Sequence, residues 1–188
     1  MISHIAITGG IGAGKSYVCR LLEKRGIRIY DCDANAKRLM NDSVCLRQKL
    51  TDLIGPDTYQ DGRLNKAVVA RFLLASESNK IAINSIVHPA VIEDFYSSGL
   101  QWMESAILFE AHLQHTVDYI VCVTAPKEIR VRRIMERDGI TAEKACEWID
   151  CQMSQEKVAE MCDAVVLNDG MASLDMQIDS LLDGLSRI

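Results

Sequence analysis

Apolar and polar positions along this chain follow two periods. Short apolar runs rich in β-branched residues recur at Ile5-Ala6-Ile7-Thr8, Ile27-Arg28-Ile29-Tyr30, Ser105-Ala106-Ile107-Leu108-Phe109, Tyr119-Ile120-Val121-Cys122-Val123 and Ala164-Val165-Val166-Leu167. Between them apolar residues return every three or four positions, the spacing of helices with one buried face. The first helix is predicted from Gly14 to about Lys24, with Val18, Leu21, Leu22 and Arg25 in register and Gly26 as its C-terminal stop. Further helical segments are predicted over 34–40 and 44–54, followed by turns at Pro56-Asp57 and Asp61-Gly62. Residues 64–96 read as mostly helical, with a break at His88-Pro89 because the residue before a proline is biased away from the helical region. An Arg-rich helix follows Pro126, a second helix covers about 141–153, and a last one carries Leu174, Ile178, Leu181, Leu182 and Leu185. Strands that alternate with helices predict an α/β fold: a five-stranded parallel sheet covered on both faces.

Functional residues in such sheets gather beyond the carboxyl ends of the strands. The first strand ends in Gly9-Gly10-Ile11-Gly12-Ala13-Gly14-Lys15-Ser16, which fits G-x-x-x-x-G-K-[ST], the phosphate-binding loop. Its glycines let backbone N–H groups turn inward around phosphate oxygens, and the following helix points its positive end at the same anion. Lys15 is placed to reach the β/γ-phosphates, and the Ser16 hydroxyl is a candidate Mg²⁺ ligand. The nucleotide-binding candidates are therefore Ile11, Gly12, Ala13, Gly14, Lys15, Ser16 and Tyr17.

Asp31 and Asp33 end the second strand. In an extended segment residues two apart share a side, so both carboxylates are expected to face the crevice. One can hold Mg²⁺ directly or through water, while the other orients or deprotonates an attacking hydroxyl. The bland alternative makes Asp33 the cap of the helix that begins at Ala34. Arg130, Arg133 and Arg137 share one helix face. They suit either a lid over a transferring phosphoryl group or a solvated helix paired with Glu128, Glu136 and Asp138. Asn168, in Asn168-Asp169-Gly170, either contacts the adenine ring or forms a plain turn. Trp102 and Trp148 read as packing residues.

Composition narrows the classes. A formal net charge of −5 leaves no basic field for nonspecific nucleic-acid binding. No apolar run reaches the roughly 18 residues of a membrane span. The odd set of seven cysteines lacks a C-x-x-C pair, which fits reduced core thiols in a cytoplasmic protein. Met1–His4 lead straight toward the first strand, so no leader is expected. One domain over 1–188 is expected, as a monomer or small homo-oligomer.

The chain resembles the dephospho-CoA kinases over nearly its whole length. The matching pieces are Thr8–Ser16, Asp31-Cys32-Asp33, Asp61–Lys66, Ile83–Pro89, Leu108–Glu110, Val123–Pro126, Arg132–Gly139, Gln152 and Asp163–Asn168. The resemblance implies ATP and dephospho-CoA as substrates and phosphorylation of the ribose 3′-hydroxyl to give coenzyme A and ADP. It also implies a P-loop kinase fold in three layers, with an acceptor-binding helical insert over about 34–98 and a helical lid over about 126–160. By the same resemblance Asp33 is the base, Lys15 and Ser16 handle phosphates and Mg²⁺, and Arg133 and Arg137 are lid arginines. Asn84, His88 and Pro89 help form the acceptor site, and adenine lies near Asn168. The chain departs from the family pattern at Tyr17, Tyr30, Cys32, Lys66 and Arg130, the last in place of a frequent Gln. The rival reading is another small-molecule or nucleotide kinase on the same fold. A GTPase-like switch would need N-K-x-D, which the chain lacks.

Overall fold

The computed structural model describes residues 2–187. Met1, part of the run expected to lead into the first strand, lies outside the described residues. The chain forms two compact units, Met1–Tyr30 with Leu100–Ile188, and Asp31–Gly99.

In the first unit the strands are β1 (Ile5–Thr8), β2 (Ile29–Asp31, whose last residue opens the second unit), and three others that follow the second unit in sequence. To keep chain order, the second unit's elements are α2 (Cys32–Asp42), α3 (Val44–Ile54), β3 (Tyr59–Gln60), β4 (Arg63–Leu64), α4 (Lys66–Ala75) and α5 (Glu77–Ser97). The first unit resumes with β5 (Trp102–Glu104), β6 (Tyr119–Thr124), α6 (Lys127–Asp138), α7 (Ala142–Asp150), α8 (Gln155–Glu160), β7 (Ala164–Leu167) and α9 (Leu174–Leu185); α1 (Lys15–Glu23) follows β1.

The sheet order is β2-β5-β1-β6-β7. The pairs β1·β5, β1·β6 and β6·β7 are parallel, with Ile5 opposite Trp102 and Tyr119, and Val123 opposite Val166. β1 is therefore central and buried on both faces, which explains its continuous apolar run. After β1 the chain runs to the edge strand β2, returns to place β5 between β2 and β1, and then adds β6 and β7 on the other side. That places a topological switch point beyond the carboxyl end of β1, where open α/β sheets bind ligands. Val18, Leu21 and Leu22 of α1 and Ile178 of α9 pack with Ile5, Ile7, Val121, Val123 and Val166 in one core. Gly26, with φ of 83°, ends α1, and Ile27 N–H closes on the Leu22 carbonyl at 3.2 Å. A smaller cluster of Ile134, Ala145 and Ile149 joins α6 to α7.

The third strand lies earlier than its apolar run suggested. The ladder uses Trp102–Glu104, while 106–112 form turns closed by Ala111 N–H to Ile107 O and Leu113 N–H to Leu108 O, both 2.8 Å. Leu108 and Phe109 are still buried, so the run is apolar because it fills core. Burial alone does not distinguish a strand from a packed turn.

The second unit is helical apart from the β3–β4 hairpin. Ser43, Asn65 and Ser76 cap α3, α4 and α5 by accepting from backbone N–H groups one turn on. The expected break at His88-Pro89 is absent: α5 runs unbroken through Pro89. An interior proline costs a helix about 3 kcal/mol. Ile83, Val87, Val91, Ile92 and Phe95 are buried along α5, which packs against α2, α3 and α4. At roughly 1.5–3 kcal/mol for each buried side chain, that packing outweighs the proline.

Among the described residues no helix is long and apolar enough to cross a membrane. Phe95 is fully buried in α5. Phe95→Ala is expected to lower stability by about 3–5 kcal/mol, read as the shift in a urea unfolding curve.

Candidate phosphate-binding site

The loop between β1 and α1 is held by its carbonyls. Lys15 Nζ donates to Gly9 O at 2.8 Å, Ala13 N–H to Gly10 O at 3.2 Å, and Arg130 Nε–H to Ile11 O at 2.9 Å. Arg133 Nη1–H donates to Gly12 O and Ala13 O, each at 3.3 Å, and Asn168 Nδ2–H to Ala13 O at 2.9 Å. Tyr17 N–H donates to Gly14 O at 3.0 Å. Every carbonyl from Gly9 to Gly14 is thus an acceptor in use.

The amides divide differently. Ile11 N–H donates to Gln152 Oε1 at 2.7 Å, and the Ala13 and Tyr17 amides are taken as above. The Gly12, Gly14, Lys15 and Ser16 amides have no acceptor among the described residues. Four unpaired N–H groups around the N-terminus of a helix form an anion cradle. The N–H groups of Ile11, Ala13 and Tyr17, which are also nucleotide-binding candidates, bond to protein in this structure.

Glycine is required at two points by close approach. A Cβ on Gly9 would run into the Val123 carbonyl of the neighbouring strand. A Cβ on Gly14 would run into the Asn168 amide nitrogen. Both residues also have φ in the left-handed range, 142° and 93°.

The other sequence-predicted residues fall into three groups. Arg133 joins the loop and also binds Asn168 through Nη2–H, to O at 3.2 Å and Oδ1 at 3.1 Å. Asn168 is buried with its side chain committed to Ala13 and Arg133, and a turn follows it in which Asp169 Oδ1 accepts from Met171 and Ala172 N–H, both at 2.8 Å. Arg137, one turn beyond Arg133, is exposed and paired with Asp138 at 2.7 Å; the pair raises the pKa of Arg137 and lowers that of Asp138. Arg130 shares the spacing of the lid face, yet it is buried against the loop.

Asp31 and Asp33 do not lie two apart on a strand end. Asp31 is the N-cap of α2, its Oδ1 accepting from Ala34 N–H at 2.8 Å, and Asp33 is exposed in the first helical turn. The chain turns helical at Cys32, which puts the cap at Asp31 rather than Asp33. Asn84 and Pro89 are exposed and His88 half-buried on α5, in the same unit as Asp33.

Two residues of the site have no role assigned from the sequence. Glu104 ends β5, and its Oε1 lies 3.7 Å from Lys15 Nζ. Gln152 caps the loop tip at Ile11. The misplaced third strand hid Glu104, since a strand ending at Glu104 would have marked it. Gln152, a matching piece of the resemblance, lies past the end of α7 with no spacing signal that would give it a role.

The family model for dephospho-CoA kinase matches residues 3–173. The chain belongs to the dephospho-CoA kinase family. It is 40% identical over 189 residues to a dephospho-CoA kinase from Bacteroides fragilis, covering 97% of this chain and 92% of that protein. Identity to the dephospho-CoA kinase of Porphyromonas gingivalis is also 40%, over 87% of this chain and 85% of that one. A solved structure from Thermus thermophilus superposes with a TM-score of 0.80 at 30% identity, covering 98% and 96% of the two chains. Shikimate kinase from Acinetobacter baumannii, at 14% identity and a TM-score of 0.57, covering 100% of this chain and 94% of its own, shares the fold. The chain is an α/β P-loop kinase, an enzyme with ATP as a substrate.

Replacing Asn168 removes a buried donor from Ala13 and an acceptor from Arg133 at once. Asn168→Ala is expected to cost about 1–3 kcal/mol in urea unfolding and to weaken ATP binding in equilibrium dialysis.

Proposed function

We infer that this kinase transfers the γ-phosphoryl group of ATP to the ribose 3′-hydroxyl of dephospho-CoA. The products are ADP and coenzyme A, and the step is the last in coenzyme A synthesis. The observation that carries the donor half is the row of unpaired amides at Gly12, Gly14, Lys15 and Ser16, ringed by Lys15 and Arg133. Family membership supports the acceptor half.

Phosphoryl transfer asks mainly for positioning and for cationic groups around the transferring oxygens. The four amides and Lys15 hold the β- and γ-phosphates. Lys15 exchanges its hold on Gly9 O and Glu104 for phosphate oxygens when ATP enters. Arg133 and Arg137 are the lid arginines in this reading. Arg133 keeps its fork beside the loop, and Arg137 leaves an exposed pair with Asp138, which is worth little in water. Asn168 holds Ala13 and Arg133 in place, and adenine lies near it in the same reading.

The donor set beside Lys15 fits Mg²⁺. The exposed Ser16 hydroxyl and the Glu104 carboxylate, reached through water, suit a hard cation that keeps most of its waters and takes phosphate oxygens for the rest. Asp31 is the alternative carboxylate through water, with one oxygen already accepting from Ala34. Bound there, Mg²⁺ supplies charge neutralisation at the β- and γ-phosphates.

Asp33 takes the proton of the 3′-hydroxyl as it attacks, and its exposure in the first turn of α2 leaves it open to the acceptor. Asn84, His88 and Pro89 on α5 serve the acceptor in the same reading. The acceptor-binding insert and the lid correspond to residues 34–98 and 126–160. The seven cysteines are free thiols, which supports a reducing compartment, the cytoplasm.

With Mg-ATP and dephospho-CoA, mass spectrometry is expected to record ADP and an acceptor heavier by one phosphate, with no product from Lys15→Ala. ATP turnover without that product would instead favour a kinase with another acceptor. Asp33→Asn is expected to lower kcat by about 10²–10⁴-fold while ATP still binds; a full rate would remove Asp33 as the base.

A further inference from the structure

Arg130 is 4% exposed, yet its guanidinium makes one hydrogen bond to protein, from Nε–H to Ile11 O at 2.9 Å. Among the described residues no carboxylate lies within ion-pair distance of it. Burial lowers its pKa, against the opposing fields of Glu156 and Asp150. A buried cation without a close counter-ion is expensive to keep.

Its surroundings give the reason. A Cβ on Gly10 would run into Arg130 Nη2, stand 3.0 Å from Cζ, and lie 3.3 Å from Gln152 Oε1. All three nearest atoms are side-chain atoms, and Gly10 is not among the glycines with positive φ. Gly12 differs, because its φ is 78° and it faces the Arg130 backbone, with Cβ contacts of 2.7 Å to O and 3.0 Å to Cα. Gly12 therefore serves the turn and the approach of α6. Gly10 has no side chain so that a guanidinium fits there. Gln152 takes the N–H of the same residue, Ile11, whose carbonyl Arg130 holds.

We propose that Arg130 is a positioning residue for ATP. From within α6 it grips the outer side of the loop at Ile11 and fills the space left by Gly10. That hold fixes the Gly12, Gly14, Lys15 and Ser16 amides in the orientation that receives phosphate. Arg130 touches no reacting atom, so its effect falls on nucleotide binding and not on the chemical step. The inference rests on the kinase reading above.

The test compares Arg130→Ala, Gly10→Ala and the double variant with the unaltered chain, each checked for folding by thermal melting. The ATP dissociation constant comes from equilibrium dialysis, and KM and kcat from coenzyme A formation. Each single change is expected to raise the ATP dissociation constant and KM about tenfold, with kcat within about threefold. Gly10→Ala is expected to add nothing in the Arg130→Ala background, where the space is already open. If Arg130→Ala does not fold, Arg130→Lys replaces it with the same expected shift, since an ammonium keeps the charge but loses the fork. Unchanged ATP binding in folded variants would overturn the proposal. So would a fall in kcat at unchanged affinity, or an equal effect of Gly10→Ala in both backgrounds. Should the unaltered chain bind ATP and form no coenzyme A, the acceptor reading fails, and the dissociation constants still decide the role of Arg130.

Discussion

The site depends on the separation of the two faces of one loop. From Gly9 to Gly14 every carbonyl is engaged by a donor, and the donors are two arginines, a lysine, an asparagine amide and three backbone amides. The amides of Gly12, Gly14, Lys15 and Ser16 are left facing a common anion position. A loop in water would satisfy both faces equally and hold no preferred shape. Here the protein takes up the acceptors and leaves the donors, so the loop is polarised toward negative charge before any ligand arrives. Lys15, Arg130 and Arg133 add three cations around it. Their mutual repulsion is relieved when phosphate binds, which turns a cost in the empty protein into affinity.

The topology supplies these holders without long connections. β1 is central, so the strands β6 and β7 on one side and β5 on the other end around the loop that follows it. Arg130 and Arg133 enter from the first turns of the helix after β6, Asn168 from the residue after β7, and Glu104 from the end of β5. Three glycines mark where these holders press closest: Gly9 against Val123, Gly10 against Arg130, and Gly14 against Asn168. The loop's glycines thus answer to their neighbours as much as to the phosphate.

The periodic parts of the fold were legible in the sequence. β1, β6 and β7 and the helices α1, α3 and α9 follow their apolar spacing, and the loop announces itself by its fixed residues. What failed did so where tertiary packing overrode a local rule. Pro89 sits inside α5 because burial of the residues around it outweighs one missing hydrogen bond. The apolar run at 105–109 is a buried turn, and the strand lies just before it. Cys32 begins a helix earlier than the strand pattern implied, so Asp31 caps that helix with one carboxylate oxygen. Arg130 was unreadable for a different reason. Its spacing with Arg133 and Arg137 suggests one common face, while the close approach of α6 to Gly12 buries the first arginine and leaves the third exposed.

The phosphate cradle stands ready without nucleotide. Amide hydrogen exchange, resolved by residue with and without ATP, measures it directly. Ile11, Ala13 and Tyr17 amides are expected to be protected in the empty protein, and Gly12, Gly14, Lys15 and Ser16 to gain protection only when ATP is added. Fast exchange at Ile11 and Ala13 that slows only with ATP would contradict it, since the nucleotide would then be building the loop.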